Sequence, residues 1–153
     1  MEKTNVMRML DQKGISYIPH EYDKNTTDGQ SVARLLNQNE EQVFKTLVTV
    51  ANDRNHYVFV VPVNSTLNLK KAAKSVGVKS IEMIHQKELL PLTGYIHGGC
   101  SPFGMKKFFK TTIDETAILF DTICVSGGKV GYQVELSPQD FSKIIEVSFC
   151  DLT

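Results

Sequence analysis

The chain has little of what marks a secreted or membrane-bound protein. Its three cysteines, Cys100, Cys124 and Cys150, are odd in number and far apart, which argues against a disulfide framework or a CxxC metal site and leaves reduced thiols. No apolar run approaches the roughly 20 residues of a membrane span. MEKTNVMRML lacks the basic start, apolar centre and small-residue cleavage site of a secretory signal, so a cytoplasmic protein is expected. His20, His56, His85 and His97 fall outside zinc-ligand spacing, and no metal or other cofactor is expected. Repeats, low-complexity tracts and linkers are missing too. What remains, at 153 residues with 41% hydrophobic and 22% charged, is one expected domain over 1–153, large enough to bury a core unaided.

Charge of either sign is lacking overall, since 17 basic and 17 acidic side chains cancel. Their distribution is uneven. Residues 1–69 hold seven basic and eight acidic side chains (−1), residues 70–110 eight and two (+6), and residues 111–153 two and seven (−5). Such a chain can set a basic face opposite an acidic one, and a basic face attracts phosphates by releasing their condensed counterions. The same lysines also serve simply to solvate helices and loops.

Hydrophobic spacing and capping residues divide the chain into elements. Val6, Met9, Leu10 and Lys13 at helical spacing, with Gly14 as a stop, predict a first helix. ISYIPHEY (15–22) predicts a short strand interrupted at Pro19. KNTTDG then supplies Asp28 as the N-cap of a helix carrying Val32, Leu35 and Leu36. VFKTLVTVA (43–51) and HYVFVVPV (56–63) flank NDRN as a hairpin. NLKKAAKSVG reads as a helix capped by Asn68 and stopped by Gly77, VKSIEMI as a strand, and QKELL as a short helix. KKFFKTTI, AILFDTICV, VGYQVEL and EVSFC read as strands. SPQDFSKII carries the marks of a helix start, with Ser137 as N-cap, Pro138 at the first position and Asp140 three residues after the cap. Strands outnumber helices and tight turns join them, which predicts an α/β (α+β) fold with a mixed, mostly antiparallel sheet flanked by helices.

Two features invite a chemical reading. Lys45 interrupts a strand whose neighbours should be buried; it is either an ammonium on the floor of a cleft or a lysine that snorkels to the surface. The stretch GYIHGGCSPFGMKK (94–107) belongs to a region, 94–131, that holds seven of the ten glycines. Gly99 and Gly104 have the spacing of a phosphate-binding loop, but Met105 stands where that motif needs lysine, and a strand follows instead of a helix. The glycine pairs Gly98–Gly99 and Gly127–Gly128 instead offer bare main chain to a ligand. His97 and Cys100 are too poorly oriented around a glycine turn to form a base and nucleophile pair.

VFKTL, LNLKKAAKSVGVKSIEM, TGYIHGGCSPFGMKK and ICVSGGKVGYQVELSPQD, in this order and spacing, resemble successive blocks of the YbaK (YbaK/EbsC) family of aminoacyl-tRNA deacylases. With the first helix and HEYD the resemblance spans almost the whole chain. It implies the fold of the editing domain inserted in bacterial prolyl-tRNA synthetases, here freestanding. It further implies release of cysteine from the acceptor end of mischarged Cys-tRNA(Pro), with prolyl-tRNA synthetase as a partner and no membrane. Release of another small amino acid such as alanine, or non-catalytic tRNA or nucleotide binding, are the alternatives. The family's key lysine matches Lys45, its pocket tyrosine Tyr22, its glycine-loop position Gly98 beside Gly99, and its serine before paired glycines Ser126 beside Gly127. His97 and Cys100 depart from the aliphatic residues expected there. The resemblance implies no protein nucleophile: the substrate's thiol or a water attacks the ester, and the protein supplies orientation and charge.

Overall fold

Thr4 ends the extended start of the chain, because its Oγ1 accepts the Met7 N–H (3.2 Å) and satisfies a donor that the first helical turn cannot. Helix α1, Asn5–Gln12, follows, and Gly14 at φ +67° turns the chain out of it. In the computed structural model, which describes residues 1–153, strand β1 (Ile18–Glu21) comes next. Pro19 does not interrupt it. Strand β1 lies at the edge of its sheet, where a residue without an N–H is tolerated.

Asp28 starts α2 (Gly29–Leu35), its carboxylate accepting from both the backbone N–H (3.1 Å) and hydroxyl (2.9 Å) of Ser31. The hairpin forms as β2 (Phe44–Ala51) and β3 (His56–Pro62). Asn68 caps α3 (Leu69–Val76), which Gly77 ends in the left-handed conformation. Strand β4 (Ile81–Met83) and α4 (Leu89–Thr93) lead into the glycine-rich segment.

The later elements are shorter than their sequence suggests. Of KKFFKTTI only the last residues join β5 (Lys110–Asp114). AILFDTICV splits into a 3-10 helix, Glu115–Leu119, and β6 (Ile123–Ser126). The cause is Asp114, whose carboxylate accepts from Thr116 N–H (3.3 Å) and its hydroxyl, pulling the backbone into a tight turn. Strand β7 (Tyr132–Leu136) and a 3-10 helix, Pro138–Lys143, precede β8 (Val147–Cys150). Ser137 stands at the cap position but makes no cap bond.

The strands form two sheets instead of one, a three-stranded sheet in the order β1-β7-β6 and a five-stranded sheet in the order β4-β2-β3-β5-β8. Pairing is antiparallel except for β3 with β5 and β5 with β8, so the mixed, mostly antiparallel expectation holds. Alternation assigns the faces. Val48, Val58, Val60 and Ile113 of the larger sheet meet Val125 and Val134 of the smaller one, together with Val6, Met7 and Leu10 of α1. Phe59 and Val61 point the other way, onto Ala72 and Ala73 of α3. Lysines of the basic middle third therefore divide: those of α3 lie on one side of the large sheet and Lys106 on the other, and no single basic face results.

Candidate active site

Strand β4 pairs only with Thr49–Ala51, and at the strand's other end Val43, just before β2, makes a single bridge to Cys124 of β6, which leaves Phe44–Leu47 between them without a hydrogen-bonded strand on that side. A cavity of about 360 Å³ opens there. Phe44, Lys45, Thr46 and Leu47 all line it although they alternate in direction, as expected of a cavity at a strand edge and not on a sheet face. The opposite wall comes from the small sheet, with Tyr22 just beyond β1, Val125 and Ser126 of β6, and Tyr132 and Gln133 of β7. Thr27, Asp28 and Val32 of the α2 start and Leu89, His97, Gly98 and Cys100 complete the lining, with Gly98 close against Thr27. At this volume it sits near the lower end of small-molecule sites, about 300–1,000 Å³.

Lys45 is the cation of this cavity. Desolvation lowers its ammonium from the ordinary 10.5, and the nearby charge of Asp28 opposes the shift. No carboxylate lies within 4.0 Å of its Nζ, and Asp28 is already engaged with Ser31. A half-buried ammonium without an ion pair is costly unless a ligand supplies the anion. Thr46 adds a second unmet demand, since its Oγ1 is shielded from solvent and has no hydrogen-bond partner, a state worth about 1–3 kcal/mol.

The remaining wall groups differ in how free they are. Ser126 Oγ accepts the Gly128 N–H (3.2 Å), which leaves the hydroxyl proton to donate into the cavity. Burial raises the Tyr22 phenol, keeping it a neutral donor, with the Gly131 backbone opposing. Gln133 is held by Gln38, with which it exchanges amide hydrogen bonds of 2.6 and 3.1 Å. Burial pushes the Cys100 thiol up to about 12, so it holds almost no thiolate at neutral pH.

Of the residues singled out in the sequence, Tyr22, Lys45, Gly98 and Ser126 meet around the cavity, as do His97 and Cys100. Gly99 and Gly127 do not line it. A Cβ on Gly99 would fall 3.1 Å from Val130 N, and one on Gly127 3.2 Å from Tyr132 C. Both glycines let loops pack behind the wall. Gly98 has φ +87°, and a Cβ there would sit 2.8 Å from Thr27 Cβ. Gly98→Ala is therefore expected to cost about 1–3 kcal/mol in backbone strain, read as a Tm several degrees lower by calorimetry; an unchanged Tm would show that this approach is not tight. Asp28, Thr46, Leu89 and Gln133 are site residues that sequence reasoning missed. Asp28 carried only a cap signal, and the others none.

One further cluster combines metal-ligating types: His20, Cys124 and Glu135, whose ligand atoms lie within 4.8 Å of one another. Burial alone would raise the Glu135 carboxyl, but hydrogen bonds from Thr122 and from His20 (2.8 Å) hold it below the usual carboxylate range. Hydrogen bonding thus closes the cluster, and it stands apart from the cavity wall.

The fold and site together define a small α/β protein with a cation-bearing cleft at an open strand edge. Residues 23–144 match the aminoacyl-tRNA editing domain family, and the chain belongs to that family. It is 44% identical over 154 residues to the Enterococcus faecalis (strain ATCC 700802 / V583) protein named "Putative Cys-tRNA(Pro)/Cys-tRNA(Cys) deacylase EbsC", covering 99% of this chain and 94% of that one. Two crystal structures share its fold. One, described as "a putative trans-editing enzyme for prolyl tRNA synthetase", superposes with a TM-score of 0.83 at 22% identity over 99% of both chains. The other, of a hypothetical protein, gives a TM-score of 0.89 at 22% identity over 97% of this chain and 99% of that one.

Proposed function

We propose that the chain, as one editing domain over 1–153, is an aminoacyl-tRNA deacylase that releases cysteine from Cys-tRNA(Pro). The observation that carries this reading is the Lys45 ammonium, half-buried and without an ion pair, beside Gly98 and Ser126 in a chain of the editing family. An acylated 3′ end supplies what the cavity lacks. As its ester carbonyl is attacked, negative charge builds on oxygen, and Lys45 and the Ser126 hydroxyl meet it; that both line the one cavity supports this reading. Tyr22 donates to the ribose or the ester, and the bare main chain at Gly98 admits a small side chain.

The reaction requires no protein nucleophile. With a cysteinyl ester, the substrate's own sulfur forms the S–C bond as its thiol gives up its proton, the C–O bond breaks, that proton passes to the departing ribose oxygen to make a hydroxyl, and cysteine leaves as its thiolactone. With alanyl esters water attacks instead. Cys100→Ala is expected to keep most of the turnover, because a thiol at about 12 is not an effective nucleophile; loss of turnover in that variant would point to a covalent enzyme intermediate. No helix is long and apolar enough to cross a membrane, which fits work in the cytoplasm, with prolyl-tRNA synthetase delivering the mischarged tRNA.

Deacylation of Cys-tRNA(Pro), Ala-tRNA(Pro) and Pro-tRNA(Pro) in parallel tests the proposal. Release of cysteine well above the other two is the expected result. Preferred release of alanine would reassign the substrate, and release of none would reduce the chain to a binding module.

A further inference from the structure

A second depression, of about 520 Å³, is bounded by α1 and by the same two loops that wall the cavity. Residues 97, 98 and 100 of the first loop face the cavity, whereas Gly94, Tyr95 and Lys106 at its ends face this groove. In the second loop Ser126 faces the cavity, and Gly128 and Lys129 face the groove. The two loops touch, with Gly99 packed against the Val130 backbone. Tyr132 links the two sites: it is one of the residues that line the cavity, and the Lys129 ammonium stands 6.0 Å from its ring centroid.

The groove is polar and positive. Lys3, Arg8, Lys106 and Lys129 line it against a single carboxylate, Glu2. Lys129 pairs with Glu2 at 2.6 Å, and Lys3 turns outward to Asp11. Both pairs are about half exposed and readily exchanged for another anion. The Arg8 guanidinium hydrogen-bonds to the Asn5 amide oxygen (2.9 Å), and neither it nor Lys106 has a carboxylate within 4.0 Å; Glu2, whose charge Arg8 also feels, is itself paired with Lys129, so the trough that adjoins the cavity keeps an excess of cations.

We propose that this groove holds the phosphodiester backbone of the RNA whose aminoacylated end occupies the cavity, with Arg8, Lys106 and Lys129 binding its phosphates. The inference rests on the deacylase reading, because it is the ester-bearing 3′ end that would fix where the rest of the strand must run. A polyanion laid across the loops gains from each lysine or arginine by counterion release, a term independent of sequence and sensitive to salt. None of these cations lines the cavity that would hold the ester. They strengthen binding of a full RNA and add nothing to turnover of its terminal nucleoside.

The test compares wild type with Arg8→Glu/Lys106→Glu and with Lys70→Glu/Lys74→Glu, a control on exposed α3 lysines that line neither depression. Affinity for a fluorescent acceptor-stem RNA microhelix is measured over a range of salt, alongside release of cysteine from 3′-cysteinyl-adenosine. The groove variant is expected to bind the microhelix about tenfold more weakly, with a salt slope shallower by about 0.7–0.9 for each phosphate no longer neutralised. The control keeps wild-type affinity, and all three release cysteine from the nucleoside at one rate. Unchanged affinity in the groove variant, equal weakening in the control, or slower release from the nucleoside would each overturn the groove. If wild type releases nothing from the nucleoside, the deacylase reading fails, while the microhelix affinities still report on the groove.

Discussion

Lys45→Ala is expected to slow ester release by about 10²–10³-fold, the loss measured when one donor to a developing oxyanion is removed elsewhere, while leaving the fold intact. No other lysine or arginine lines the cavity, Asp28 is acidic, and Ser126 and Tyr22 are neutral donors. Stability should move the opposite way. Burial lowers the Lys45 ammonium below 10.5, so the unfolded chain holds that proton more tightly than the folded one. The charge therefore destabilises the fold fully at pH values below the lowered pKa, and this cost fades as pH rises from there toward 10.5. Lys45→Met, which keeps the apolar stem without the charge, should melt at or above the wild-type temperature at pH 7. A variant that loses activity only because it unfolds would sink this account, as would Lys45→Ala retaining more than about a tenth of the wild-type rate.

Phe103→Ala should produce the largest loss of stability. The ring is fully buried and lies 4.8 Å from that of Phe141, in the core between the sheets. Its main chain is held too: the carbonyl accepts from the Tyr95 hydroxyl, and the N–H donates to Ser101 Oγ (3.2 Å). Truncating such a ring costs about 3–5 kcal/mol, and at about 2–4 °C per kcal/mol for a chain of this size the Tm should fall by about 10 °C. Because Phe103 anchors the segment that presents His97, Gly98 and Cys100, turnover should fall well below that temperature as well. A shift under about 3 °C in a thermal melt would show that the ring does not hold this loop.

Phe103 also shows where sequence reasoning reached and where it stopped. GYIHGGCSPFGMKK reads as backbone offered to a ligand, and Gly98 does face the cavity. Its composition hides the fact that Ser101, Pro102 and Phe103 are buried, so that the loop is a fixed wall. Local signals carried the hairpin and the caps at Asp28 and Asn68, because each depends on residues a few positions apart. The split into two sheets depends on β1 pairing with β7, Ile18 opposite Glu135, across most of the chain, and no short pattern records it. Lys45 drew attention as a charge in an apolar strand, but its setting follows from how little of β2 the short β4 covers. Residue type likewise cannot separate Gly98, which faces the cavity, from Gly99 and Gly127, which serve packing behind it.

Where an acylated RNA end settles on the protein is decisive, and a non-hydrolysable 3′-cysteinylamido-adenosine reports this directly. In heteronuclear NMR titrations of the protein with this analogue, the account predicts saturable shifts centred on the Lys45 ammonium and the Gly98 and Ser126 amides, abolished in Lys45→Ala. Shifts confined to other surfaces, or unchanged by removal of Lys45, would contradict it.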